Sequence, residues 1–180
     1  MNYIKITTPL TEDKCIDLKS GDRVLITGTI FTARDAAHIR MLHDFAEGKD
    51  APFDLKDSII YYAGPSPTRP GNVSGSFGPT TAGRMDDMTI PLLERGVRGM
   101  IAKGDRRADV IDAIVKYKAI YFAAIGGAGA LIAASVKKIE VIAYDDLGAE
   151  AIRRIQVVDF PAIVAIDTYG TNIFDHKELI

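Results

Sequence analysis

Between Gly64 and Gly83 the chain reads GPSPTRPGNVSGSFGPTTAG, a stretch of glycine, proline, serine and threonine with no apolar periodicity. Such a segment cannot continue a helix or a central strand, because proline lacks the amide donor and glycine loses the most freedom on ordering. The fold must therefore be assembled from what lies on either side. Loops of this length inside a compact domain are uncommon and are usually functional or disordered. The ending of this one, at an arginine-bearing helical pattern, favours function.

Before the loop the pattern is extended. Tyr3 to Thr7 alternates, Lys14 to Leu18 reads as a short polar strand containing Cys15, and Arg23 to Ile30 is β-branched after the Gly21-Asp22 turn signal. A mixed apolar and charged stretch from Arg34 to Glu47, stopped by Gly48, predicts an amphipathic helix, and Ser58 to Ala63 predicts a buried strand. After the loop, helices and strands alternate. Helices are expected over Thr81 to Arg95, Ala108 to Tyr117, Gly129 to Val136 and Ala149 to Ile155. Strands are expected over Gly99 to Ala102, Ala119 to Ala124, Lys138 to Ala143 and Val157 to Asp167. The reading is an α/β domain spanning 1–180, with a β-rich N-terminal part and alternating strands and helices after it.

Composition narrows the function classes. With 180 residues, 47% of them apolar, one core is expected. The 22 basic and 24 acidic residues are scattered, so no basic stripe marks a nucleic-acid surface. No apolar run reaches the roughly 18 residues of a membrane span, and no signal peptide is legible at the start, so a cytoplasmic protein is expected. Cys15 is the only cysteine, which excludes a site needing two cysteine ligands from this chain.

Three corners carry cations where a strand is expected to give way to a helix. In GPTTAGRMD, residues 78–86, Thr80 is placed to cap a helix whose N-terminus would favour an anion, with Arg84 one turn in. A guanidinium there can grip a carboxylate with two parallel bonds. The structural alternative is a plain cap, with Arg84 paired to Asp87 or Glu94. Arg34 closes the second corner, followed by Asp35 and, one turn on, His38; its alternative is a local i to i+4 contact with His38. Lys103 repeats the arrangement in AKGD. Three such cations suit a small dianionic ligand. The glycines of Gly126-Gly127-Ala128-Gly129 do not match GxGxxG and read as a tight turn. His43 and His176 lack acidic or cysteine neighbours at convincing ligand spacing, so no metal site is expected.

Together, TGTIFTARDAAH (27–38), GPTTAGRMD (78–86), AKGD (102–105) and AIGGAGALIA (124–133) resemble, in order, the small subunit or C-terminal domain of class I fumarases and the related L-tartrate dehydratases. The resemblance implies a single swivelling β/β/α domain packed on a larger cluster-bearing alpha subunit, with the active site between them. It implies a hydro-lyase of the fumarate and malate pair. Arg34 and Arg84 would bind substrate carboxylates, with Thr81 and His38 beside them on the substrate side. Thr80 would be a candidate base and Lys103 would bind a carboxylate or hydroxyl. A [4Fe-4S] cluster would be held by the partner, since a chain with one cysteine cannot hold it. The closest rival is an L-tartrate dehydratase beta subunit, and a rival from another class is a non-catalytic dicarboxylate-binding domain.

Overall fold

Strand β1 (Ile4–Thr7) is followed by a short helix α1 (Glu12–Ile16), the long strand β2 (Arg23–Thr32), helix α2 (Asp35–Ala46) and strand β3 (Ile59–Tyr61). The structure is a computed structural model describing residues 3–68, 70–124 and 129–175. Beyond the loop, a 3-10 turn (Ala82–Met85) runs into α3 (Asp86–Glu94). Then come β4 (Gly99–Ala102), α4 (Ala108–Lys116), β5 (Ile120–Ala123), α5 (Gly129–Ser135) and β6 (Val136–Ala143). A second 3-10 segment (Asp145–Glu150) leads into the longest strand, β7 (Ile152–Ile166).

β2, β3, β4 and β5 lie side by side and parallel. β7 then returns antiparallel to β5 and also pairs with β2 from Arg23↔Ile163 to Thr32↔Arg153, which closes the sheet into a barrel. β1 extends the first half of β2, and β6 the first half of β7. Side chains alternate along the strands between two cores. Ile59, Tyr61, Ile101 and Phe122 join Ile26, Ile30 and Phe160 in one. Ile60, Tyr62, Met100 and Tyr121 join Met41, Leu92 and Ile114 of the helices in the other. β3 and β4 are buried throughout, as expected for parallel strands covered on both faces.

Two sequence expectations are corrected. Lys14 to Leu18 is not a strand: α1 buries Cys15, with Leu18 one turn on also buried, and Glu12 and Asp13 favour its N-terminus. Alternation of helix and strand therefore begins near the start of the chain, and the early strands belong to the same sheet as the later ones. Ala149 to Ile155 is not a helix either. Ile152 already belongs to β7, and between the pairs Ile26↔Phe160 and Gly28↔Val157 a bulge sets Val158 and Asp159 against Thr27 alone, one residue extra, so the buried positions shift phase along the strand. The turn residues 126–128 and His176 lie outside the described residues. Among the described residues, no helix is long and apolar enough to cross a membrane.

Candidate functional site

The end of the glycine-proline loop is woven into the ends of β3 and β4. Tyr62, just past β3, donates its amide to the Ile101 carbonyl (2.8 Å). Its own carbonyl accepts both the amide (2.8 Å) and the hydroxyl (2.7 Å) of Thr80. The Lys103 amide donates to the Thr80 carbonyl (3.0 Å), and the Ala82 amide to the Lys103 carbonyl (2.8 Å), with Thr81 and Lys103 bridged in parallel. Thr80, Thr81 and Lys103 are thus side by side where parallel strands end, the usual place for a ligand in such sheets. The loop is anchored at Phe77, which is buried, donates its amide to the Gly129 carbonyl and accepts the Tyr61 hydroxyl on its own carbonyl.

Thr80 is not the helix cap expected from the sequence. Its hydroxyl is turned to Tyr62, the Ala82 amide is already bonded, and the helix opens through a 3-10 turn with no side-chain cap.

Arg84 pairs neither with Asp87 nor with Glu94. Its Nε and Nη2 donate to Asp35 Oδ1 and Oδ2 at 2.9 and 2.6 Å. This fork holds the Asp35 carboxyl below the usual carboxylate range. Arg34 approaches the same carboxylate, with Nε 3.9 Å from Asp35 Oδ2 and Nη2 3.5 Å from Glu150 Oε1. Its buried Nε has no hydrogen-bond partner among the described residues. Glu150 Oε2 also accepts the Ala36 amide at 2.8 Å, fixing the start of α2. Gly64 permits this approach, since a Cβ there would lie 2.3 Å from the Ala149 carbonyl oxygen. The structure thus gathers Arg34 and Arg84 around Asp35, and Lys103 beside Thr80. Lys103 is exposed, with no ion pair or hydrogen bond from its ammonium among the described residues.

His38 faces the core. It is fully buried, its Nδ1 lies 2.9 Å from the Arg34 carbonyl, and its ring meets Tyr62 edge-on at 5.0 Å. Burial pushes it down to about 4, so it is neutral near pH 7, and its Nε2 has no partner among the described residues.

Sequence reasoning missed the support beneath these groups. Arg106 is buried under the corner, its Nε donating to Asp86 Oδ1 (2.7 Å) and its Nη2 to Thr89 (2.6 Å). Asp86 Oδ2 accepts the Arg107 amide at 3.0 Å, so the GRMD turn is tied to the turn that carries Lys103. Asp86 and Arg106 stand inside the quoted motif and next to AKGD, but nothing local says that they are buried together. Glu150 meets Ala36 from 114 residues away and left no signal at all.

The chain's own residues do not fit an iron-sulfur cluster. Cys15 is fully buried away from this corner, and burial pushes its thiol up to about 12. His43, Asp44 and Glu47 do gather, with ligand atoms within 4.8 Å of one another, which their sequence spacing did not suggest. The Lys49 ammonium already sits on Asp44 (3.0 Å) and Glu47 (2.6 Å).

The family model described as Fumarase C-terminus matches residues 1–177. The chain belongs to the fumarase C-terminus family. It is 46% identical over 155 residues to the anaerobic class I fumarate hydratase of Escherichia coli, covering 84% of this chain and 28% of that protein. It is 44% identical over 156 residues to the mitochondrial fumarate hydratase 1 of Leishmania major, covering 85% and 28%. It is also 37% identical over 172 residues to a Methanocaldococcus jannaschii protein provisionally named L(+)-tartrate dehydratase subunit beta, covering 92% of this chain and 88% of that one. The chain therefore spans a little over a quarter of the two fumarate hydratases, and nearly the whole of the beta subunit.

Proposed function

We propose that this chain is the substrate-clamping subunit of a two-chain, cytoplasmic hydro-lyase that reversibly hydrates fumarate to malate. The observation that carries the reading is the meeting of Thr80 and Lys103 with the Arg34, Asp35 and Arg84 cluster at one sheet end, in a member of this family. Together with Glu150, these groups carry one net positive charge, suited to a dicarboxylate. Arg34 and Arg84 bind the two carboxylates, with Thr81 on the exposed rim. His38 contributes by holding the Arg34 carbonyl. Lys103 meets a carboxylate or the hydroxyl.

Thr80 handles the proton. Its hydroxyl donates to the Tyr62 carbonyl at 2.7 Å, and because a carbonyl cannot take that proton, the group that deprotonates Thr80 comes from the partner or the substrate complex. Similarity over 88% of a protein provisionally named as a beta subunit supports a separate, larger alpha partner. With Cys15 buried and protonated, the [4Fe-4S] cluster of the reading belongs to that partner, and the domain swivels against it to close the site. The same similarity favours one alternative substrate, tartrate.

The test is anaerobic turnover of malate, followed by the ultraviolet absorbance of fumarate, with this chain alone and with the cluster-loaded partner. Activity in the mixture alone is expected. Arg84→Ala should remove it while leaving subunit association intact. Turnover of tartrate but not malate would move the assignment to the tartrate enzyme, and turnover of neither would refute the hydro-lyase reading.

A further inference from the structure

We infer that Asp35 is the positioning residue of Arg84: it seats the Nε and Nη2 edge of the guanidinium and so presents the Nη1 and Nη2 edge to a substrate carboxylate. The inference rests on the dicarboxylate reading above and assigns a role to a side chain that touches no substrate itself. A guanidinium has five N-H donors and two edges suited to a carboxylate. Asp35 takes the side-on edge with both oxygens, at 2.9 and 2.6 Å, while Nη1 has no partner among the described residues and the Arg84 side chain is half exposed. One edge is thus anchored and the other is open.

Asp35 is itself held in place. It lies in the first turn of α2, whose N-terminus favours its charge, and the Glu150 carboxylate fixes the next amide at 2.8 Å. Arg34 Nε and Arg84 Nη2 approach the same Asp35 oxygen, at 3.9 and 2.6 Å, so this carboxylate also lets two like charges stay close before any ligand arrives. The two arginines are not equivalent. Arg84 is fixed by short paired bonds, whereas Arg34 has an orphan Nε and only long ion pairs.

The opposite reading of the same contact is that Asp35 occupies the seat of the substrate and must be displaced. The two readings move KM in opposite directions. A positioning residue raises KM when removed, because Arg84 must then be oriented by the substrate itself. A competing carboxylate lowers KM when removed.

The experiment measures KM and kcat for malate in the two-chain enzyme carrying Asp35→Ala or Asp35→Asn, with thermal unfolding of each variant as the fold control. Exposed ion pairs contribute little to stability, so both variants should melt close to the unsubstituted protein. In Asp35→Ala, KM should rise about tenfold or more with kcat within about threefold, since Arg84 itself remains and the bound substrate, once it has oriented the guanidinium, is held by it through the transition state. Asp35→Asn keeps the side-chain shape and one acceptor, and should raise KM by a smaller factor; it also serves if the alanine variant does not fold. An unchanged or lowered KM in either folded variant overturns the inference. Absence of turnover by the unsubstituted enzyme on both malate and tartrate is a separate result, refuting the hydro-lyase reading and this inference with it.

Discussion

Asp86→Ala should be the most damaging small change near the site. Arg106 Nε and Asp86 Oδ1 are 2.7 Å apart, with side chains 0% and 5% exposed, so the substitution strands a guanidinium in the core. Breaking one side of a buried ion pair costs about 3–5 kcal/mol, because the remaining charge keeps its desolvation penalty without its partner. The same change removes the acceptor of the Arg107 amide. For a chain of this size each kcal/mol moves the melting temperature by about 2–4 °C, so a fall of about 6–20 °C is expected. Urea unfolding of the purified chain, monitored by circular dichroism, measures the loss directly. Asp86→Asn keeps an acceptor for Arg106 and should lose less. An unfolding free energy for Asp86→Ala within about 1 kcal/mol of the unsubstituted chain would refute the argument that this pair ties the two turns together.

His38 supplies a pH dependence. Its folded value, about 4, lies below the ordinary 6.5, so stability is complete above pH 6.5 and falls between there and about pH 4 as the unfolded chain takes the proton first, by about 3 kcal/mol in all. Replacing it by Gln should flatten that part of a stability-pH curve. Cys15 should resist a thiol reagent at pH 8 in the folded protein and react fully in denaturant, since burial pushes it up to about 12. Gly28→Ala should destabilise by about 2–4 kcal/mol, measured by the same urea titration, because φ there is +126° and the added Cβ would fall 2.1 Å from Thr8 Oγ1.

Periodicity located α2, β2, α4 and β4 closely, since each buries one face or both in a regular way. It failed at α1, whose five residues are too few for a period to show, and at the start of β7, where Ile152 and Ile155 are buried three positions apart, the spacing of a helix. Barrel closure was not legible, because it depends on β2 meeting β7 across most of the chain. At the site, the cations announced themselves by position at strand ends. Their carboxylate partners Asp35 and Glu150 did not, because an acid beside an arginine in sequence reads as surface, and a contact from the far end of the chain has no local trace.

The pairing of β2 with β7 also bears on how the molecule is made. As the chain leaves the ribosome, β2 has its lasting neighbour on one side only until the residues up to Ile163 emerge. Until then one long edge and the core behind Ile26 and Ile30 stay open to other chains. Contacts this distant in sequence close slowly, so nascent chains interrupted before β7 should be the species most in need of chaperone protection.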